Sequence, residues 1–414
     1  MSQLPQTHEH VHIPEIKLGP GAAGVERVAG VVGALGLLLC LAGYFFNPQH
    51  FFQSYLFAFL YWAGFGIGGL GILLLNNVVG GKWGATARRF LVAQMRTLPL
   101  IGIFFIVLLF GMKYLYPWTH DDLVKANEYL HHKAPYLNMP FFLIRQVIYF
   151  AFMILVGARI NKWYDEQDRT GDFALREKLR SFSAPCLLAF VILVTLAVID
   201  WVLSADAQYY STVFGGILLI GSVLQAFALT NLSIILASKG DRFGGRINSK
   251  ILHDLGNLMF AFTIFWAYLS ASQLIITWPA NLPQEISWYL DRTNGFWKVL
   301  AAVVGVSMFL IPFLALLSQN RKRDPRRLMK VAIWILCAQI VYLFWVVEPT
   351  FRNHSAGALL GTSSGFEIYW TDFAAFFGLG GVWVFMFIKQ LRRSPLLPLR
   401  DDRVQEPLPQ EVLA

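Results

Sequence analysis

Ten apolar runs, each close to the length that crosses a bilayer, dominate the chain: residues 28–46, 51–75, 91–115, 140–158, 183–203, 213–238, 252–277, 296–317, 329–347 and 368–390. A hydrocarbon layer about 30 Å thick takes about 20 apolar residues as a helix, but about half that, in alternation, as a barrel strand. The runs are long and do not alternate, so they predict helices. Lipid satisfies no free backbone N–H or C=O, which leaves such a chain little else to form. With 56% apolar and 14% charged residues, the chain also lacks the polar surface of a soluble protein. The expectation is an all-α polytopic membrane protein with ten transmembrane helices: a tail at 1–23, a membrane domain at 24–390 and a second tail at 391–414.

A formal charge of +9 would suit a nucleic-acid binder, but the positions of the charges point elsewhere. Of the 34 Lys and Arg, 24 lie in or beside the connections after helices 2, 4, 6 and 8 or in the C-terminal tail, and six lie on the opposite side. This is the positive-inside pattern, and it predicts cytoplasmic termini and contact with lipid head groups rather than nucleic acid. The first run starts late and lacks a cleavage-site pattern, so no cleavable signal peptide is expected. Cys40, Cys186 and Cys337 fall inside apolar runs, without the spacing of a metal site or disulfide framework. His8, His10 and His12 alternate in the N-terminal tail, where a solvated tail outweighs metal binding.

Ionisable groups in a membrane helix must pair, protonate or reach water, so they mark candidate sites. One set belongs to the outer side: Arg145 in helix 4, Asp200 in the last turns of helix 5, Asp206 just beyond it, Glu348 at the end of helix 9 and Asp372 at the start of helix 10. Arg145 and Asp200 share a level, which predicts a salt bridge. On the inner side stand His253 and Asp254, at the start of helix 7. Along that helix Thr263, Trp266, Ser270, Gln273 and Thr277 recur at steps of three and four, giving one polar face. That face reads either as interhelical hydrogen bonding or as the lining of a proton or quinol path. At about 100° per residue, Asp254 falls on the opposite side of the helix from this face, so helix 7 reads as a wall shared by two cavities. The segment 161–172 is mixed in sign and reads as a solvated connection. Gly30, Gly33 and Gly36 in helix 1, and Gly64, Gly68 and Gly71 in helix 2, favour close helix approach. Only His253 falls within a helix in this reading, so no pair of axial haem ligands is expected, and the cysteines offer no iron–sulfur site.

Several motifs resemble a known family. They are Gly80-Gly81, Trp83-Gly84, Arg88-Arg89 and Arg96-Thr97-Leu98-Pro99-Leu100; LYPW at 115–118; the stretch from Lys133 to Phe150; VIDWVLSADAQYYSTVFGG, ending at Gly216; WPANLPQE at 278–285; FEIYWTDFAAFFGLGGVWVF from Phe366; and KQLRRSPLLPLRDDR from Lys389. Together they span about 51 to 403 and resemble the F subunit of alternative complex III, a polysulfide-reductase-like (NrfD-like) membrane protein of a bacterial quinol-oxidising respiratory complex. Asn76-Asn77 depart from the pattern, standing where such proteins often carry histidines. The resemblance implies two four-helix bundles, helices 2–5 and 6–9, flanked by helices 1 and 10, in the bacterial inner membrane. It also implies a scaffolding and proton-conducting role, with no cofactor bound by this chain alone. The implied partners are a sister NrfD-like subunit holding most of the menaquinol chemistry, an iron–sulfur subunit, c-type cytochromes with haem c, and a terminal oxidase. Two alternatives remain: a quinol site of this chain's own near the outer face, and a secondary transporter. Transporters break helices at the midplane, and prolines here cluster near the ends of the apolar runs, which disfavours the second.

Overall fold

The computed structural model describes residues 16–19, 21–238, 243, 249–280, 283–353, 359–361, 365–398 and 400–401. Among them there is no strand, and ten helices are long and apolar enough to cross a membrane. They are α1 (Gly21–Phe46), α2 (Pro48–Val79), α3 (Lys82–Leu109), α4 (Met139–Thr170), α5 (Ala174–Ala205), α6 (Phe214–Ala237), α7 (Ser249–Ala280), α8 (Gly295–Leu317), α9 (Pro325–Arg352) and α10 (Trp370–Arg392). The chain is therefore a multi-pass, all-α membrane protein. The Leu396 N–H donates to the Ile16 carbonyl at 2.8 Å, so both ends of the described chain lie on one side, here the terminal side; the other is the far side.

Three helices start on the same local grammar, an Asx side chain capping a first turn that contains proline. Asn47 Oδ1 accepts from the His50 N–H before α2, Asn138 Oδ1 from Phe141 before α4, and Asp324 Oδ1 from Arg326 before α9. The capped donors are ones the helix leaves free in any case, and proline removes one more.

Helices α2 to α5 close a four-membered ring of contacts, as do α6 to α9, and the α1–α10 pair packs against α2. The two-bundle architecture implied by the resemblance is the one observed. Helix α2 is the hub, in contact with α3, α5, α6 and α10, and 24 of its 32 residues are buried. Glycine makes this crowding feasible. A Cβ on Gly68 would stand 2.2 Å from the Ser222 carbonyl oxygen on α6. In the α1–α10 pair, a Cβ on Gly36 would stand 2.4 Å from Gly378 Cα. Without a hydrophobic drive between helices in lipid, this backbone approach supplies the packing energy.

Two expectations are corrected. The segment 161–172 is largely solvated but is not a free connection: α4 continues to Thr170, with Tyr164 and Gln167 buried. Prolines are not confined to helix ends either. Helices α3 and α5 start well before their apolar runs, so Pro99 and Pro185 fall inside them. Proline lacks the N–H that would continue the ladder. Helix α3 accordingly breaks at Arg96-Thr97, where the Thr97 hydroxyl donates to the Gln94 carbonyl at 2.6 Å. Helix α8 passes through one π-helical turn at Gly305–Leu310.

Candidate functional site

The far side holds three buried charge clusters. In the first, Arg145 Nε and Nη2 donate to the two carboxylate oxygens of Asp200, at 2.8 and 2.9 Å. Gln146 Nε2 and the Tyr149 hydroxyl donate to the same carboxylate, both at 3.1 Å. Arg145 Nη1 donates to the Tyr136 carbonyl at 2.8 Å, and the guanidinium lies 3.8 Å from the Tyr136 ring centroid. Trp201 Nε1 in turn holds Gln146 at 2.7 Å. The expected salt bridge is present, and it is a closed one: one positive charge, one negative charge, and both carboxylate oxygens in use.

The second cluster is not balanced. Pro349 does not end α9: Arg352 N–H still donates to the Glu348 carbonyl, which sets the two side chains one turn apart on one face. Arg352 Nη2 lies 2.9 Å from Glu348 and donates to both Asp372 oxygens, at 2.7 and 2.9 Å. Arg352 Nη1 donates to the Glu367 carbonyl. Asp372 also accepts from the Ser54 hydroxyl at 2.6 Å and from the Tyr369 N–H at 2.8 Å, and it sits in the first turn of α10, where the helix dipole favours an anion. Glu348 and Arg352 are wholly buried, and beyond the ion pair neither oxygen of Glu348 accepts a hydrogen bond among the described residues. Two carboxylates therefore share one guanidinium away from solvent.

The third cluster joins Asp206 to the two bundles' far ends. Asp206 Oδ1 caps the Gln208 and Tyr209 N–H groups, both at 2.9 Å, and Oδ2 has no donor among the described residues. Lys133 donates to the carbonyls of Ala207 and Tyr209 at 2.8 and 3.1 Å. Burial holds the Lys133 ammonium below the ordinary lysine range, and the Asp206 charge opposes that shift. Nearby Arg292, wholly buried, lies 3.7 Å from the Trp288 ring centroid and donates to Thr350 Oγ1 at 2.7 Å.

The inner candidates sit apart. His253 Nδ1 is 3.8 Å from Asp254 Oδ1, and both side chains are partly exposed on the terminal side. Asp254 indeed lies away from the polar face of α7, whose Thr263, Trp266, Gln273 and Thr277 are buried while Ile264, Phe265, Ile275 and Ile276 are exposed. Within that face, Thr263 returns its hydroxyl to the Met259 carbonyl, and Gln273 links Thr277 to Ser211 on the far side, at 3.1 and 3.2 Å. Gln273 does not join the carboxylate clusters through any hydrogen bond among the described residues. Among the described residues Ser270 Oγ is a buried hydroxyl without a partner, and Trp266 Nε1, packed edge-to-face with Tyr342, makes no hydrogen bond of good geometry. Both line a cavity of about 580 Å³ between α6, α7, α8 and α9, roofed at the far side by Trp288 and Tyr289. The described residues around it carry no charged side chain. Its edge includes Tyr268 and Leu274, exposed on the lipid face of α7.

A polar belt crosses the middle of the molecule where α2, α3, α6 and α9 meet. Gln225 Nε2 donates to the Tyr61 carbonyl at 3.0 Å, Gln94 Nε2 to Thr230 Oγ1 at 2.8 Å, and the Thr97 hydroxyl accepts from Trp383 Nε1 at 3.0 Å. The amide oxygens of Gln94, Gln225, Asn231 and Gln339 are buried and accept no hydrogen bond among the described residues.

On the terminal side, Arg88 Nη2 meets Asp168 at 2.5 Å, Arg89 pairs with the same carboxylate, and Arg88 and Arg176 each lie 3.6 Å from the buried Asp401 of the C-terminal tail. Asn77, where the resemblance departs, accepts from the Tyr164 hydroxyl at 2.5 Å and donates to Ser183 at 3.0 Å.

Sequence reasoning missed Arg352, Arg292 and His50. For Arg352 the available signal is Glu348, four residues before it. His50 lies in the first turn of α2, and His131 and His132 in a short helix, so His253 is not the one helical histidine. His50 stacks on Tyr369 at 3.9 Å, beside the second cluster. His8, His10 and His12 lie outside the described residues. No family model matches the chain, and no curated protein matches it.

Proposed function

We propose that this chain is an integral membrane subunit of a quinol-oxidising respiratory complex of the alternative complex III type, in the bacterial inner membrane with cytoplasmic termini. It scaffolds the complex and carries protons, while haem c, iron–sulfur clusters and the main menaquinol chemistry belong to partner subunits. The family motifs support the membership. The observation that carries the proton role is the shared guanidinium of Glu348 and Asp372. Two like charges beside a single cation in a buried site cannot both be cheaply ionised, so one carboxyl is the natural place to hold a proton. Glu348, which has no other donor among the described residues, is that group. Asp200 is fully matched by Arg145 and serves instead to lock α4 to α5.

The route inward runs through the central belt rather than along α7. Gln339 lies nine residues, about 14 Å, below Glu348 on α9, with Tyr342 between them. The orphan amide oxygens of Gln339, Gln225 and Gln94 are acceptors that ordered water would satisfy. Tagging the chain in its native membrane tests the membership. Recovery with c-type haem, an iron–sulfur subunit and quinol-oxidising activity is expected; recovery as a lone active transporter would sink it.

A second reading, a quinol site within this chain, is favoured by the α6–α9 cavity. Its volume, aromatic walls, lack of charge and the donors Trp266 Nε1 and Ser270 Oγ on its wall match a neutral ring that offers oxygen acceptors. The π-helical turn of α8 borders it, and such turns occur frequently at functional sites.

A further inference from the structure

A second large cavity, about 560 Å³, lies on the terminal side where the break in α3 faces α4 and the end of α10. Its walls divide by chemistry. Leu98, Pro99, Met153 and Ile154 form an apolar part, beside the lipid-exposed faces of α3 and α4 that carry Ile103, Ile106 and Leu155. Arg96, Asn161, Gln390, Arg393 and Ser394 form a polar part, which also includes the carboxylate of Asp165. Arg96 Nε donates to Asn161 Oδ1 at 3.0 Å, and its Nη2 lies 3.4 Å from Asp165. Asp165 is itself shared, with Arg89 Nη1 3.8 Å away. Arg393 donates to Gln390 Oε1 at 3.5 Å, and no carboxylate lies within ion-pair distance of it among the described residues. A smaller cavity lined by Arg89, Arg96, Gln390 and Ser394 adjoins the polar part.

Positive charge thus exceeds negative charge at the mouth of an apolar groove, at the level where lipid head groups lie. We infer that this cavity binds an anionic phospholipid, its phosphodiester between Arg96 and Arg393 and its acyl chains along Leu98, Pro99 and Met153. A guanidinium fork matches the geometry of a phosphate, and basic pockets between helices on the cytoplasmic side suit anionic head groups. A phosphocholine head would bring a cation against Arg393, so charge selects among lipids that carry the same phosphate. The bound lipid would also tie α3, α4 and the C-terminal segment together. The inference goes beyond the respiratory reading and does not depend on it.

Native mass spectrometry of the full chain, purified in a neutral detergent and titrated with phosphatidylglycerol or with phosphatidylcholine of the same chains, tests it. Phosphatidylglycerol should be retained at least tenfold more strongly. Affinity should fall about fivefold in R393Q, whose exposed side chain leaves folding intact, and about twenty-five-fold in R96Q/R393Q, given about 1 kcal/mol per basic residue. Inorganic phosphate at millimolar concentration should not displace the lipid. Equal retention of the two lipids, unchanged affinity in R393Q, or displacement by phosphate alone would each overturn the proposal.

Discussion

Arg352 and Asp372 join α9 to α10 through one nitrogen: Arg352 Nη2 donates to both oxygens of Asp372, at 2.7 and 2.9 Å, and at the same time lies 2.9 Å from Glu348. Among the described residues the consequence is two carboxylates beside one guanidinium in a buried space. In the Arg145–Asp200 pair every charge is matched, and moving a proton would break the match. At Arg352 one proton restores neutrality, so proton binding and release there cost less than at any matched pair.

Removing the cation should be far worse than removing one anion. Arg352→Ala leaves two buried carboxylates facing each other and is expected to cost about 3–5 kcal/mol, or to prevent accumulation of folded protein. Glu348→Gln keeps the shape and leaves a balanced Arg352–Asp372 pair, so its unfolding midpoint should match or exceed that of the parent. Thermal unfolding of the detergent-solubilised variants, followed by size-exclusion fluorescence, checks the ordering.

Asp200→Asn is expected to destabilise by a similar amount, because Arg145 would remain buried without its counterion. The double variant Arg145→Met, Asp200→Leu should recover most of the loss, as apolar replacement of a whole buried pair commonly does. The same unfolding assay reads it. A double variant no better than Asp200→Asn would mean that the pair contributes net stability.

The ten helices were legible because hydrocarbon imposes length and polarity on each run independently of its neighbours. The Arg145–Asp200 pair was legible because both residues stand inside apolar runs, where a charge has few places to go. Arg352 was not, because α9 runs through Pro349 for another turn beyond its apolar run, and only the fold brings Asp372 to it. The 161–172 segment misled for a related reason. Its mixed charges look like solvated surface, yet Arg88, Arg89 and Asp168 satisfy one another when α4 extends past the membrane. The polar face of α7 was read correctly as inward, but which of its residues find partners depends on α6, α8 and α9. The orphan donors Trp266 and Ser270 could not be told apart from the satisfied Thr263 until the helices were in place.

Gly68→Ala should be poorly tolerated, since the new methyl would meet the Ser222 backbone oxygen, which cannot rotate away. A cost of about 1–3 kcal/mol is expected from overpacking, with more for Gly68→Leu. Gly24→Ala is the control, as its Cβ direction is open. Comparing the three unfolding midpoints with that of the parent tests the claim.

Ser270→Ala deletes a buried hydroxyl with no partner among the described residues and should not lower stability, whereas Trp266→Phe also removes ring volume packed on Tyr342 and should cost about 1–3 kcal/mol. If the α6–α9 cavity takes a quinone ring, each variant should weaken binding of a short-chain menaquinone analogue about 5–30-fold. Equilibrium binding by tryptophan fluorescence quenching, beside the unfolding midpoint, separates the two effects. Unchanged affinity in both variants would remove these donors from any quinone site.

The most direct test of the central claim is the number of protons released per electron when the assembled complex, reconstituted in vesicles, oxidises quinol. With Glu348→Gln in a fully assembled complex, the account predicts a lower ratio while electron transfer under uncoupled conditions persists. An unchanged ratio in that variant would contradict it.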